Sequence, residues 1–349
     1  MNSDKGLPTV DENKLITCEV PLYPLRFEPI YQYRLWGGRR LADLLTTPLP
    51  SGPIGEAWLL SDRDEHQSHV AEGPLEGWTI SELLKQFPEQ MLGRLSGRFR
   101  RFPLLLKFLD VREMLSVQVH PTEANTNLLP AGETAKTEAW VVLQGGPEAL
   151  IFAGLRSAAT EGNLWRALRE GTVADELARF TPAPGDAVLI RAGTVHSLRD
   201  VVVFEVQQNS DVTFRLFDWN HIDPRTSEPR PLQVEQAMAC VDFDQGTIKP
   251  TTPLVECTLP ILKEQIIDCD QFVVTRVTGR QPFKVGHLAL PRVLVCLEGS
   301  GQLRHAGEVY PVRKGDVLLL PAAVGECSCE PREPLHMLEI ALPESSHTP

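Results

Sequence analysis

The sequence predicts a mainly β protein that contains two copies of one antiparallel unit, each closed as a sandwich or barrel. Short apolar runs alternate with turn residues, and the chain contains 29 Pro and 25 Gly, which favours strands over long helices. The run GDAVLI at 185–190 recurs as GDVLLL at 315–320. The segment VVLQG at 141–145, upstream of the first run, recurs as VCLEG at 295–299, upstream of the second. Two paired segments that return in the same order indicate an internal duplication.

Size and charge limit the classes of protein that this chain can be. At 349 residues it is long enough for two domains, and its 42% hydrophobic and 23% charged residues are those of a globular protein. A net charge of −12 argues against a nucleic-acid partner, because a polyanion demands a basic face. A small phosphorylated substrate stays possible, since it needs only a local basic pocket.

The termini and the cysteines indicate a cytoplasmic protein. The polar first residues lack the apolar stretch of a signal peptide, and no run approaches the roughly 18 apolar residues that span a membrane. Seven cysteines show no C-x-x-C spacing, so we expect reduced thiols rather than a disulfide framework. We expect residues 1–20 to be a flexible N-terminus, and we expect no membrane partner.

Three stretches are predicted to be helical, and most of the rest to be strand and turn. Residues 79–92 place apolar side chains on one stripe, but Pro88 divides them into two short helices. Residues 161–180, an insertion in the first copy, are expected to form two short helices around Gly171. Residues 232–241 are the third helical stretch.

The two copies differ at the position eleven residues after the glycine of the Gly-Asp turn. The first copy has His196 there, and the second has Glu326. Only the first copy also has a polar pair on an earlier strand. We therefore expect residues 21–245 to form a catalytic domain with short helical insertions, and residues 246–349 to form a second domain that lacks the site.

One strand of the first copy carries polar side chains on a single face. Side chains of a strand point alternately to opposite sides, so Ser116, Gln118 and His120 share one face. Such a strand lines a site if it faces the interior of a small barrel, and is merely half-exposed if it faces water. In the preceding run LLLKFL, at 104–109, Lys107 is costly to bury unless it is paired or functional.

The same copy supplies a set of metal-ligating side chains. Lys136 and Glu138 alternate on the next strand, and His196 follows the Gly-Asp strand. Gln118, His120, Glu138 and His196 offer one amide oxygen, one carboxylate and two imidazoles, which suit Zn²⁺ or another borderline divalent ion. Without a cysteine, the set is typical of a catalytic site with open positions. Histidines that are satisfied in the core are the alternative.

Longer motifs in this chain resemble those of a known family. The segment 185–196 is similar to the second cupin motif, with Arg191 where Pro is usual. The other strings are similar to type I mannose-6-phosphate isomerases of the short bacterial form, within the cupin superfamily, and the resemblance runs over about residues 22–342. They are WGG at 36–38, GEAW at 55–58, LLLKFLDVREMLSVQVHP at 104–121, KTEAW at 136–140, AGTVHSL at 192–198 and FEVQQNSDVTFRLFDW at 204–219.

The resemblance implies two cupin-type (jelly-roll) β-barrel domains with a few short helices. It also implies a zinc-dependent enzyme that interconverts mannose 6-phosphate and fructose 6-phosphate through an enediol intermediate. One zinc ion per chain would be held by the residues that match the family's ligands, which are Gln118, His120, Glu138 and His196.

The resemblance also assigns the residues around the sugar phosphate. Arg215 matches the catalytic arginine, and Lys136 matches a lysine beside the sugar. The residue that transfers the proton stays open among Lys136, the acidic residues near the site and a hydroxide at the metal. The matched acidic residues are Asp211 and Glu205, and the positions associated with the phosphate are Ser116 and Lys107.

One departure from the family pattern concerns the phosphate. His221 stands where a basic residue, often arginine, is usual, so Arg225 or Arg230 is expected to substitute. The expected partner is a small sugar phosphate, bound by a monomer or a weak homo-oligomer. The alternatives are another metal-dependent cupin enzyme, such as a different sugar-phosphate isomerase or an oxygenase, and a non-catalytic sugar-binding cupin.

Overall fold

The computed structural model describes residues 21–344 of the chain. The predicted flexible N-terminus, residues 1–20, and the tail at 345–349 lie outside the described residues. The described chain is mainly β, and its curled sheets form two cupin-type barrels, which confirms the predicted fold class.

The first barrel is built on a nine-stranded sheet whose main path runs β10-β8-β11-β6-β2-β3, with β7, β9 and β12 beside it. Two short hairpins, β4–β5 and β13–β14, flank this sheet. The bounds of these strands are β2 Ile30–Gly38, β3 Ile54–Leu60, β4 Asp62–Arg63, β5 His66–Gln67, β6 Leu104–Val111, β7 Val117–Val119, β8 Glu138–Leu155, β9 Leu177–Phe180, β10 Ala187–Ile190, β11 His196–Gln208, β12 Phe214–Phe217, β13 Ile222–Asp223 and β14 Glu228–Pro229.

The second barrel combines a seven-stranded sheet, ordered β1-β22-β19-β24-β17-β16-β15, with a four-stranded sheet, ordered β18-β23-β20-β21. Its edge strand β1 comes from the start of the described chain, so the segment that precedes the first barrel is paired into the sheet of the second. The bounds are β1 Leu25–Arg26, β15 Leu254–Cys257, β16 Leu262–Asp268, β17 Val273–Gly279, β18 Phe283–Val285, β19 Arg292–Glu298, β20 Ser300–His305, β21 Glu308–Arg313, β22 Val317–Leu320, β23 Cys327–Pro331 and β24 Leu335–Ala341.

The helices follow the predicted pattern with one exception. Residues 79–92 form α1 (Ile80–Gln86) and α2 (Pro88–Leu92), because Pro88 can begin a helix but cannot continue one. α3 spans Glu161–Glu170, and α4 spans Val234–Cys240, within the third predicted stretch. Four short 3₁₀ helices cover Arg40–Asp43, Gly93–Leu95, Glu123–Leu128 and Val173–Asp175.

The second helix predicted around Gly171 is wrong. Gly171 ends α3 in the left-handed conformation, a short 3₁₀ turn follows, and residues 177–180 form strand β9. Leu177 and Ala178 are buried while β9 pairs with β8, so sheet packing overrides the helical periodicity of this segment.

The duplicated segments occupy equivalent places in the two sheets. The first Gly-Asp run leads into β10, which pairs with β8, and the second leads into β22, which pairs with β19. Val188 lies opposite Trp140, and Leu318 lies opposite Leu294, so the two pairings share one register. The repeated sequence therefore corresponds to a repeated pair of strands.

Buried apolar side chains form a core that continues from one barrel into the other. The largest cluster joins Phe108 and Phe204 of the first barrel to Val293 and Leu338 of the second. The six cysteines in the described chain are free, and five of them are buried. None of the helices within residues 21–344 has the length and apolar character needed to cross a membrane.

Candidate active site

Three strands bring the four predicted metal-ligating residues together inside the first barrel. Gln118 lies on β7, and His120 follows the end of that short strand. Glu138 opens β8, and His196 opens β11. Because His196 pairs in register with Gln118, the two strands carry their side chains to the same point. The polar face predicted for the strand at 116–120 therefore faces the barrel interior.

The three strongest ligand candidates form a compact buried cluster. One ligand atom from each of His120, Glu138 and His196 lies within 4.8 Å of the others. Glu138 Oε2 is 3.1 Å from His120 Nε2, and Glu138 Oε1 is 3.4 Å from His196 Nε2. The amide nitrogen of Gln118 lies 3.0 Å from His196 Nε2, which places this side chain at the edge of the cluster.

Backbone carbonyls orient both imidazoles. His120 Nδ1 lies 2.8 Å from the carbonyl of Val212, and His196 Nδ1 lies 2.9 Å from that of Thr194. An Nδ1–H that donates to a carbonyl leaves Nε2 with a free lone pair, and both Nε2 atoms point toward Glu138. Burial lowers the pKa of His120 and lowers that of His196 to about 3, so both rings are neutral near pH 7.

The donor set fits a divalent metal ion. Burial by itself would raise the pKa of Glu138, but Lys136 and the two imidazoles outweigh burial and keep that pKa well below its usual range. Within residues 21–344, His120 Nε2 and Glu138 Oε1 are buried without a hydrogen-bond partner. Buried acceptors without donors are costly, and a metal ion would satisfy them together.

Two predicted residues flank this cluster. Lys136 Nζ forms an ion pair with Glu138 Oε2 at 2.8 Å, and both side chains are buried. Ser116 is buried on the other side, where its hydroxyl donates to Gln118 Oε1 at 3.2 Å. Lys136 thus places a positive charge at the Glu138 carboxylate, and Ser116 holds the amide of Gln118 through its oxygen.

Lys107 is buried, as its place in β6 predicts, and three carboxylates surround it. Its Nζ lies 3.5 Å from Glu205 Oε1, 3.5 Å from Asp211 Oδ1 and 3.7 Å from Glu56 Oε2. Burial would lower its pKa, but the three carboxylates raise it, so Lys107 stays charged. The ammonium group also lies 4.9 Å from the centre of the Trp58 ring, a cation–π contact.

Glu205 is a buried acid whose pKa is raised. Its Oε2 accepts a hydrogen bond from Trp140 Nε1 at 2.9 Å, and its Oε1 lies near Lys107. Burial, together with the charge of Glu138, raises the pKa of Glu205 to about 7, against the opposing effect of Lys107 and Lys136. A carboxyl group of this pKa can hold or release a proton at neutral pH.

Arg34 and Glu56 line the same cavity, and sequence reasoning did not identify them. Arg34 contacts Glu56 through two nitrogens, at 2.7 and 3.2 Å, and Trp58 Nε1 donates to the same carboxylate at 2.6 Å. Burial opposes the effect, but Arg34 and Lys107 lower the pKa of Glu56 to about 2. The alternation on each strand is a signal, since Arg34 shares a face with Trp36 and Glu56 shares one with Trp58.

Arg215 is a partly buried cation that forms no ion pair with a carboxylate among residues 21–344. It lies on β12 opposite Gln118, and its Nε has no hydrogen-bond partner among the residues that the structure describes. Burial lowers the pKa of Arg215, and the charges of Arg230 and Arg34 lower it further. A guanidinium group in this state has donors available for an anionic ligand.

The residues expected to replace a basic side chain at 221 have other partners. Arg230 contacts both oxygens of Asp218, at 2.5 and 2.8 Å, and His221 lies 3.8 Å from that carboxylate. The guanidinium of Arg225 lies over the ring of Tyr33, 3.1 Å from its centre. All three lie in the segment around the β13–β14 hairpin, and in the described chain none of them lines the cavity.

A cavity of about 390 Å³ lies beside the buried cluster, and its size suits a small polar ligand. Metal-ligating residues line one part of its wall, and charged residues line most of the rest. The lining consists of Arg34, Trp36, Glu56, Lys107, Leu109, Leu115, Gln118, Lys136, Glu138, Trp140, Glu205, Asp211, Thr213 and Arg215.

Comparisons of sequence and of structure with known proteins point to the same family. The sequence profile of the type I phosphomannose isomerase catalytic domain matches residues 25–138. Mannose-6-phosphate isomerase ManA of Bacillus subtilis (strain 168) is 34% identical over 310 residues, which cover 88% of this chain and 96% of that protein. The crystal structure of the mannose 6-phosphate isomerase from Bacillus subtilis has a TM-score of 0.84 at 28% identity, covering 91% of this chain and 99% of that one.

A more distant structure, that of a putative mannosephosphate isomerase from Archaeoglobus fulgidus, shares the fold. Its TM-score is 0.74 at 22% identity, and the match covers 93% of this chain and 99% of that one. The closer relative matches over nearly its full length, and the family profile covers the strands that carry Arg34, Lys107 and Gln118. The chain therefore belongs to the type I mannose-6-phosphate isomerase family, and it is an enzyme of the isomerase class.

Proposed function

We propose that this chain is a zinc-dependent aldose–ketose isomerase that interconverts mannose 6-phosphate and fructose 6-phosphate through an enediol. The observation that carries the proposal is the buried His120–Glu138–His196 cluster beside a cavity lined by Lys136 and Arg215. The reaction moves a proton between neighbouring carbons while negative charge develops on their oxygens, so it needs a base and fixed positive charge. When bound, zinc would supply Lewis-acid stabilisation of that charge.

The donor set supports one zinc ion per chain. Two neutral imidazoles, a carboxylate and an amide oxygen match the ligand preferences of zinc, and the set leaves positions open for substrate. In the structure the amide nitrogen of Gln118 faces His196 and its oxygen accepts from Ser116, so binding of zinc through that oxygen requires the amide to turn about its Cγ–Cδ bond. Carbonyl contacts at each Nδ1 orient the imidazoles, as is usual for metal-binding histidines. The residues that we assign to zinc are Gln118, His120, Glu138 and His196.

Glu205 is the residue that we assign to proton transfer. Its pKa of about 7 suits a group that must take up and return a proton at neutral pH. Lys136, by contrast, is paired at 2.8 Å with Glu138, and Asp211 is more exposed and close to Lys107. We assign Lys136 to the sugar oxygens beside the metal-binding carboxylate.

The phosphate end of the pocket needs fixed cations and hydrogen-bond donors. Arg215 has free donors, and we assign it to the reacting end of the sugar and its enediolate charge. Ser116 and Lys107 are the phosphate-side residues that the sequence predicts. We add Arg34, because it lines the cavity and because a guanidinium group binds phosphate through paired hydrogen bonds.

The arrangement of the chain supports two further assignments. The catalytic strands lie within residues 21–245 and most strands of the second barrel lie within 246–349, so we propose these ranges as the two domains. One chain supplies the whole lining of the cavity, which supports activity as a monomer or weak homo-oligomer. The free cysteines support the cytoplasmic location predicted from the sequence.

A coupled assay tests this function directly. Purified protein, supplied with mannose 6-phosphate, is expected to form fructose 6-phosphate, to lose activity on chelation and to regain it with Zn²⁺. Glucose 6-phosphate and ribose 5-phosphate serve as alternative substrates. No turnover of mannose 6-phosphate with any divalent metal, or a clear preference for another sugar phosphate, contradicts the proposal. Full activity after complete metal removal contradicts its zinc-dependent part.

A further inference from the structure

The two barrels can be aligned residue by residue through their strand pairings. The ladder β8–β11–β6–β3 in the first barrel corresponds to β19–β24–β17–β16 in the second. Even the irregularities agree, because a bulge between Trp58 and Leu60 corresponds to one between Gln265 and Ile267. The register makes four positions equivalent, namely Glu56 and Lys263, Lys107 and Thr275, Glu138 and Arg292, and Glu205 and Glu339.

These four positions line a cavity in each barrel. In the first barrel they belong to the candidate active site. In the second they line a separate cavity of about 410 Å³, which we call the second-barrel cavity. Its volume is close to that of the first cavity and lies within the roughly 300–1,000 Å³ typical of small-molecule sites. The duplicated fold has therefore kept a cavity at the same place.

Within residues 21–344, the close group of three potential metal ligands lies in the first barrel and not at the second-barrel cavity. Arg292 stands at the position of the ligand Glu138, and a guanidinium group cannot bind a metal. Glu326, the counterpart of His196, is partly exposed and pairs with the exposed Lys284 at 2.8 Å. A fixed cation has thus replaced a metal-binding carboxylate at this position.

A half-buried ion pair lies in the wall of this cavity. Arg292 Nε is 3.3 Å from Glu339 Oε1, and the two side chains are only 12% and 14% exposed. Burial lowers the pKa of Arg292 and raises that of Glu339, so both charges are partly desolvated. Thr275, which is 8% exposed, adds a hydroxyl group to the same wall.

We propose that the second-barrel cavity binds a small neutral polyol, with the chemistry of a free hexose, and that it does so without a metal. Sugar hydroxyls can donate to the Glu339 carboxylate, accept from the Arg292 guanidinium and do either with Thr275. Each of the cations that line the cavity has its own carboxylate, because Lys263 pairs with Glu256 at 3.2 Å and Arg292 pairs with Glu339. The cavity therefore has no surplus positive charge to favour a phosphate group.

Binding of free hexoses to the full-length protein tests this proposal. Isothermal titration with D-mannose, D-fructose and D-glucose is carried out on wild type and on His196→Ala, which removes one of the residues assigned to the metal beside the first cavity. Hexose binding is expected to persist in His196→Ala and to weaken about tenfold or more in Arg292→Gln and Glu339→Gln. Isomerase turnover of these last two variants is expected to stay within about twofold of wild type, which also shows that they fold.

A matched variant separates ligand binding from general effects of breaking an ion pair. Arg276 pairs with Glu264 at 2.9 Å with similar burial but lies outside the second-barrel cavity, so Arg276→Gln is expected to bind hexose as wild type does. Loss of binding in His196→Ala, equal binding in Arg292→Gln, or no binding to wild type overturns the proposal. Tighter binding of glucose 6-phosphate than of glucose to His196→Ala overturns the assignment to a neutral ligand.

Discussion

The two barrels share one strand plan and differ in what fills four equivalent positions. In the first barrel, Glu138 and His120 have acceptor atoms without a hydrogen-bond partner among the described residues, and Lys107 is surrounded by three carboxylates. In the second, Arg292 and Glu339 satisfy each other. This difference indicates that the barrel determines where a cavity lies, while a few side chains determine the chemistry of the cavity.

The first barrel carries the greater electrostatic cost. Buried charges and orphaned acceptors reduce stability unless a ligand or a metal compensates them. Glu138 stays ionised in spite of its burial, because the charge of Lys136 lowers its pKa, and it can therefore bind a cation. In the second barrel, an ion pair stands at the equivalent positions, and this pair needs no metal for its stability.

Alanine substitutions at the equivalent positions 196 and 326, made one at a time, are expected to give the largest difference in isomerase activity. His196→Ala removes one ligand from the buried cluster, so metal affinity and isomerase activity should fall together by about 100-fold or more. Glu326→Ala removes only a partly exposed ion pair with Lys284, so activity should be unchanged. Metal content by mass spectrometry and the coupled assay measure both effects.

Two outcomes break this contrast. If His196→Ala binds zinc as wild type does, the ligand assignment is wrong, whatever happens to activity. If Glu326→Ala loses activity while circular dichroism shows a folded protein, the second barrel takes part in catalysis. His120→Ala provides an independent test in the first barrel, since it removes the other imidazole from the cluster.

Much of the first cavity can be predicted from sequence because its residues follow strand periodicity. Ser116, Gln118 and His120 alternate along one short strand, and Lys107 interrupts an apolar run, so each signals a polar interior locally. The duplication is visible because Gly-Asp turns and aliphatic runs recur in the same order. The segment at 177–180 is predicted incorrectly, because only its pairing with β8 decides between helix and strand.

Other features depend on contacts that sequence spacing does not contain. Arg34 and Glu56 are 22 residues apart and belong to one cavity only because β2 pairs with β3. The second-barrel cavity is equally hidden, since the sequence shows Arg292 and Glu339 merely as two charges in apolar strands. Register across four strands is needed to see that they occupy the positions of Glu138 and Glu205.

Arg34→Gln is expected to give the next largest effect, and it tests how the first cavity recognises phosphate. Losing one guanidinium contact to a phosphate should raise KM for mannose 6-phosphate about 10- to 100-fold while kcat changes much less. Arg34→Lys should recover part of the loss, because it restores the charge without the paired hydrogen bonds. Steady-state kinetics measure the split between KM and kcat.

The control for this variant comes from the second barrel. Arg304 pairs with Glu330 at 2.7 Å, but it is exposed and lies far from the cavity in the fold, so Arg304→Gln should leave both constants unchanged. A fall in kcat with unchanged KM for Arg34→Gln would place Arg34 at the reacting end of the sugar instead. An unchanged KM and kcat would remove Arg34 from the site altogether.

The smallest expected effect concerns the equivalent acids Glu205 and Glu339 in the metal-free protein. The pKa of Glu205 is raised from 4.5 to about 7, so the native state keeps a proton that the unfolded chain has released between these pH values. Stability from this group is therefore full below pH 4.5 and is lost as pH rises through 7. Glu205→Gln cannot ionise, so its melting temperature should rise relative to wild type between pH 5 and 8, by on the order of 2 °C.

Melting curves of chelated protein at several pH values isolate the contribution of Glu205 to stability, because the variant and wild type share every other titrating group. Burial also raises the pKa of Glu339, so Glu339→Gln should show a difference of the same sign. A difference between Glu205→Gln and wild type that stays constant with pH would mean that Glu205 is ionised throughout, and it would remove the reason for assigning it to proton transfer. A rising difference in both variants would show that the two barrels retain the same buried acid, although only the first has the imidazole cluster beside it.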